Sequence, residues 1–108
     1  MMQRRIRSQV VLALVVSVAG AVGFAQSDGA ATYKAKCAMC HGATGMADSG
    51  AGKSMKVKPV NDPDVKAMTE AQMITITTDG KGKMPSFKGK LTDDQIKQSV
   101  DFYRTLGK

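Results

Sequence analysis

The sequence predicts an all-α fold of three to four short helices, and three observations carry that prediction. Two stretches open with the same capping pattern, Thr69-Glu70-Ala71-Gln72 and Thr92-Asp93-Asp94-Gln95. In each, a threonine that can accept from the first turn is followed three residues later by a glutamine that can reach back. After the second, Ile96, Val100, Tyr103 and Leu106 recur at spacings of four, three and three, which makes one apolar helical face. Ala30 to Cys40 is rich in alanine and lysine, both good helix formers.

Taken in order, the chain begins with a segment that is not expected to belong to the fold. Arg4, Arg5 and Arg7 form a basic start, and Val10 to Ala25 is almost wholly apolar, ending in small residues. This is the layout of a secretory signal peptide, with cleavage expected after Ala25. The apolar run covers 16 residues, short of the about 20 that a membrane-spanning helix wants. The expected organisation is therefore a signal peptide at 1–25 and one domain at 26–108. Of the 16 Lys+Arg, three fall in the leader, so 13 remain against 9 Asp+Glu and the net charge drops from +7 to +4. That modest basicity, on an exported chain, does not point to nucleic acid.

Asp28 is a candidate N-cap for the first helix, Ala30 to Cys40, which Gly42 and Gly45 stop. From Gly42 to Pro63 the chain is rich in Gly, Ser and Lys and reads as a long loop, of the kind that is functional or wrapped around something. A short helical turn follows Pro63, through Val65 and Ala67. The second helix is expected from Glu70 to Thr78. Its β-branched run, Ile74-Thr75-Ile76-Thr77-Thr78, suits a strand equally well, but the capping box before it and Asp79-Gly80 after it favour a helix. Gly80 to Leu91 is a second irregular stretch, with Lys81, Lys83, Lys88 and Lys90 interleaved among glycines and Pro85. The last helix follows Thr92, its two acids at the positive end and Arg104 near the negative end.

A domain this small, with no Trp, buries little core and usually needs a staple such as a metal or cofactor. Cys37-Ala38-Met39-Cys40-His41 supplies a candidate. C-x-x-C-H is the attachment signature of c-type haem. On a helical turn, residues four apart lie on one face, so Cys37 and His41 share it and Cys40 reaches the same side. Two thiols are then placed to bond the two haem vinyl groups, with the imidazole beneath the iron. The alternatives are weaker. A Cys37–Cys40 disulfide closes a tiny loop and leaves His41 without a role. A thioredoxin-like motif needs an α/β context. A structural zinc site needs four ligands, and the chain has two Cys and one His.

With a single histidine, a second imidazole ligand is excluded, and a thioether is the expected partner. Met84 has the best setting: Gly80 and Gly82 let the chain turn before it, Pro85 holds it extended after it, and Phe87 is placed to pack on the ring edge. Met55, in the long loop, is the runner-up, and an open sixth site is the remaining alternative. Met39 and Met46 lie too close to the motif, while Met68 and Met73 suit the core. The outer nitrogen of His41 needs an acceptor, and a backbone carbonyl near Pro59 is the candidate.

On these residues the chain resembles the class I cytochromes c, the small monohaem type, in its compact bacterial form. The resemblance covers essentially all of 26–108: Gly29 and Tyr33 ahead of Cys37 to His41, then Pro59, Met84-Pro85, and an amphipathic last helix. It implies a cytochrome c-like fold wrapped around one covalent haem c with its iron. It also implies that the first and last helices cross at Gly29 and Tyr33, against Val100 and Tyr103 or, on a shifted alignment, Phe102. Ser99 stands there where the family has an apolar residue. The implied function is periplasmic electron transfer between redox proteins, with no substrate pocket and no catalysis. Ile74, Phe87, Leu91 and Ile96 are expected to bury the ring, and Lys81, Lys83, Lys88 and Lys90 to dock acidic partners. Two other readings stand beside it: a haem sensor or enzyme with an open sixth site, and a haem subunit docked to a dehydrogenase or oxidase complex.

Overall fold

The computed structural model describes residues 24–108; the expected signal peptide lies almost wholly outside the described residues. Among these the elements are α1 (Phe24–Lys36), α2 (Ala38–His41), α3 (Gly50–Ser54), α4 (Pro63–Lys66), α5 (Glu70–Asp79) and α6 (Asp93–Leu106). There is no sheet among them, only the isolated bridges Lys81–Met84 and Lys88–Leu91. The fold is all-α, as expected. Three longer helices carry it, and one-turn helices punctuate the connections. No described helix is long and apolar enough to cross a membrane.

Both capping boxes form. The Thr69 hydroxyl accepts from Gln72 N–H at 3.1 Å and the Gln72 side chain accepts from Thr69 N–H at 2.9 Å. Thr92 and Gln95 repeat the arrangement at 3.1 and 2.9 Å. Each box satisfies two N–H groups that a helix start otherwise leaves unpaired, and this settles the β-branched run as helix α5. Thr75, Thr77 and Thr78 turn their hydroxyls back onto carbonyls four residues earlier.

Two boundaries differ from expectation. The first helix begins at Phe24 and breaks after Lys36, and α2 restarts it at Ala38. The long loop contains α3, whose N-cap Ser49 accepts from Gly52 N–H at 3.0 Å. The turn after Pro63 is α4, with Asp62 accepting from Asp64 N–H.

α1 crosses α6 closely. A side chain at Gly29 would stand 2.5 Å from the Gln98 carbonyl oxygen, so only glycine allows this approach. Tyr33, 2% exposed, contacts both Phe102 and Tyr103, with ring centroids 5.3 and 6.0 Å apart. Both alignments of the crossing are therefore realised by one buried tyrosine. Ser99 is buried and bonds the Gln95 carbonyl at 2.7 Å, which satisfies its hydroxyl within its own helix. The core is small: Met73, Ile96 and Val100, with Val65, Met68, Ile74, Phe87, Leu91 and Tyr103 against them.

Candidate functional site

The site is built around α2. Cys37 N–H bonds the Tyr33 carbonyl at 2.8 Å, and His41 N–H bonds the Cys37 carbonyl at 2.9 Å. Cys37, at the break after α1, Cys40 and His41 thus stand on one helical turn. Gly42 ends it at φ 81°, a conformation that favours glycine. The chain then folds back, and Ala47 N–H bonds the His41 carbonyl at 2.8 Å. α3 packs onto this turn so closely that a side chain on Gly52 would run into the Cys40 carbonyl.

Met84 is held by a tight loop at the end of α5. Lys81 and Met84 exchange two backbone hydrogen bonds, both 3.0 Å. Gly80, at φ 80°, has Ser86 N where a Cβ would be, at 2.8 Å. The Ser86 hydroxyl donates to the Thr78 carbonyl at 2.6 Å, and Phe87 N–H donates to the Thr77 carbonyl at 3.1 Å. The loop is fastened on both sides of Met84, by backbone hydrogen bonds and by the Ser86 hydroxyl.

Cys37, Cys40, His41 and Met84 all line one cavity of about 1290 Å³. Its apolar walls include Val57, Met68, Met73, Ile76, Phe87, Val100 and Tyr103. Burial, and then the neighbouring Cys40, push the Cys37 thiol up to about 11. Burial pushes Tyr103 up to about 12 and also raises Tyr33. Burial lowers the His41 pKa, which leaves the imidazole neutral with a lone pair available to a metal. Its Nδ1 is buried without a hydrogen-bond partner among the described residues. Cys37 and Cys40 are free thiols, not a disulfide. No group of three or more His, Cys, Asp or Glu that could hold a metal occurs among the described residues.

Two thiols, an imidazole, a thioether and an apolar cavity fit a covalently attached haem. Met55 lines the same cavity at 37% exposure, whereas Met46 does not reach it. Met39 is at its edge and 76% exposed.

Several expected neighbours lie elsewhere. The Pro59 carbonyl accepts from Asp62 N–H at 2.9 Å and takes no bond from His41; the turn leading into α4 occupies it. Of the four expected ring-burying residues only Phe87 lines the cavity. Ile74, Leu91 and Ile96 pack in the core instead; on α5, Met73, Ile76 and Thr77 are the residues turned to the cavity in place of Ile74. Lys81 and Lys83 line it, but Lys88 and Lys90 do not. Lys88 N–H bonds the Thr78 carbonyl, which leads that segment back along α5. Lys36, Lys56 and Lys58 stand at the cavity in their place. Lys36 stands at the end of α1, next to Cys37, whereas the folding of the long loop brings Lys56 and Lys58 there.

Comparison with known proteins shows the family. The family described as "Cytochrome C oxidase, cbb3-type, subunit III" matches residues 24–102. Cytochrome c6 of Leptolyngbya boryana is 44% identical over 75 residues, covering 69% of this chain and 84% of that protein. Cytochrome c-551 of Halorhodospira halochloris is 29% identical over 79 residues, covering 69% and 92%. The solved structure of the KustC0563 c-type cytochrome superposes with a TM-score of 0.68 at 28% identity, covering 75% of this chain and 99% of that one. The chain therefore belongs to the cytochrome c family, in its small monohaem class I branch, and is an electron-transfer protein with covalent haem c and its iron rather than an enzyme.

Proposed function

We propose that this protein is a periplasmic carrier of single electrons whose haem is attached through Cys37 and Cys40 and ligated by His41 and Met84. The observation that carries this reading is that all four side chains line one cavity. When bound, the haem iron supplies the one-electron redox change, and a methionine ligand raises its potential. The protein's own part is to hold and shield. α2 presents the two thiols and the neutral imidazole together, the loop at 80–87 presents the Met84 sulfur, and the apolar walls exclude water. Residues 1–25 act as the export signal, and residues 26–108 form the working domain.

Five lysines line the cavity, Lys36, Lys56, Lys58, Lys81 and Lys83, against the single acid Asp64. Asp64 is itself paired with Lys58 at 2.7 Å. This basic rim suits an acidic redox partner and association that slows with added salt. A second reading, a subunit docked to an oxidase complex, is favoured by the description of the matching family; it uses the same haem site.

The test of the ligand set is the optical spectrum of the oxidised and reduced holoprotein beside Met84→Ala. The wild type is expected to show the weak long-wavelength iron–sulfur band when oxidised, and the variant to lose it. A wild type without the band that binds carbon monoxide when reduced has an open sixth site.

A further inference from the structure

A ligating histidine usually has its second ring nitrogen held by an acceptor, which fixes the rotation of the ring. His41 has no such bond among the described residues, where its buried Nδ1 is unpartnered. What touches the ring is Tyr103, with centroids 5.2 Å apart and planes inclined by 62°. Tyr103 is in turn backed by Tyr33, at 6.0 Å and 25°. Tyr33 is wedged by Phe102 on α6, and its hydroxyl donates to the Gly42 carbonyl at 2.5 Å. The chain of contacts thus starts at the His41 ring and returns to the residue next to His41.

We propose that Tyr103 is a positioning residue that sets the plane of the His41 imidazole by ring packing, in place of a hydrogen bond, with Tyr33 as its backing. This rests on the reading of His41 as the axial ligand. The aromatic ring does the work, since the Tyr103 hydroxyl is not part of the contact chain. A flat, edge-inclined neighbour resists rotation of the imidazole in a way that a flexible aliphatic chain does not. The plane of an axial imidazole determines how unpaired spin is distributed over the four pyrroles of a ferric haem. Its orientation can therefore be read without measuring electron-transfer activity.

The experiment compares oxidised holoproteins by proton NMR of the paramagnetically shifted haem methyl groups, with optical spectra alongside. Tyr103→Phe keeps the ring and is expected to retain the wild-type order and spread of the four methyl resonances. Tyr103→Leu removes the ring and is expected to reorder them while the low-spin spectrum persists. If Tyr103→Leu does not accumulate as holoprotein, Tyr103→Met fills the space without a ring and is read in its place. A ringless variant with a wild-type methyl pattern overturns the proposal, as does a Tyr103→Phe variant that reorders it. A wild type whose iron is not histidine-ligated removes the axial reading itself, an outcome distinct from failure of the brace.

Discussion

Gly52 has no room for a side chain. A Cβ there would run into the Cys40 carbonyl and stand 2.7 Å from the Ala47 carbonyl oxygen, both rigid backbone groups. Gly50, two residues earlier in the same helix, has nothing within 4 Å. Gly52→Ala is therefore expected to cost ~1–3 kcal/mol, the usual range for overpacking. That lowers the Tm of the holoprotein by roughly 4–8 °C per kcal/mol in a domain of this size. Gly50→Ala is expected to be neutral or to stabilise by about 0.5–1 kcal/mol, because alanine suits a helix better. Thermal melts of both variants check the pair. Equal melting would mean that α3 does not press on the turn bearing Cys40.

Helices α5 and α6 owe their starts to local chemistry. Both capping boxes lie at exposed positions, so their loss is not confounded by a cavity. Thr92→Ala is expected to destabilise the holoprotein by ~1 kcal/mol, within the ~0.5–2 kcal/mol range for N-caps. Thr92→Ser is expected to retain most of that stability, since it keeps the accepting oxygen. Denaturant unfolding of the two variants measures the difference, and an unchanged midpoint in Thr92→Ala would discount the cap. The ion pairs between these helices are weaker supports. Lys97 and Arg104 stand 3.8 and 3.9 Å from Glu70, at exposed positions, where such pairs contribute little.

At the scale of the whole molecule, the cavity dominates the core. A space of about 1290 Å³ lies among only a handful of buried apolar side chains. The apolar side chains lining that space would be covered by a bound haem. A group that binds the folded form alone stabilises it, and small domains without such a staple are marginal. The apo-protein is therefore expected to be largely unfolded. Circular dichroism of Cys37→Ala/Cys40→Ala, expressed without haem attachment, is expected to show little helix and no cooperative melt. A cooperative transition with holo-like helix content would mean that the helices pack without the ring.

Much of this was legible in the order of residues, because it rests on short-range geometry. The capping boxes, the apolar face of α6 and the C-x-x-C-H turn each depend on residues within a few positions of one another, and hydrogen bonds of one helical turn define them. The tight turn that carries Met84 was legible for the same reason, from Gly80, Gly82 and Pro85. The remainder depends on residues far apart in the chain, which no spacing rule relates. Pro59 was expected at His41, but its carbonyl is taken by the turn into α4. Ile74 faces the core rather than the cavity, because the rotation of α5 is chosen by packing against α6, and Leu91 packs against the same core from the segment before α6. Lys56 and Lys58 reach the cavity only through the path of the long loop. The contact between Tyr103 and His41 exists only because α1 and α6 cross at Gly29. Local pattern determined the turns that carry Cys37, Cys40, His41 and Met84; helix crossing and loop path decided what surrounds them, because burial is shared among distant segments and is chosen by the fold as a whole.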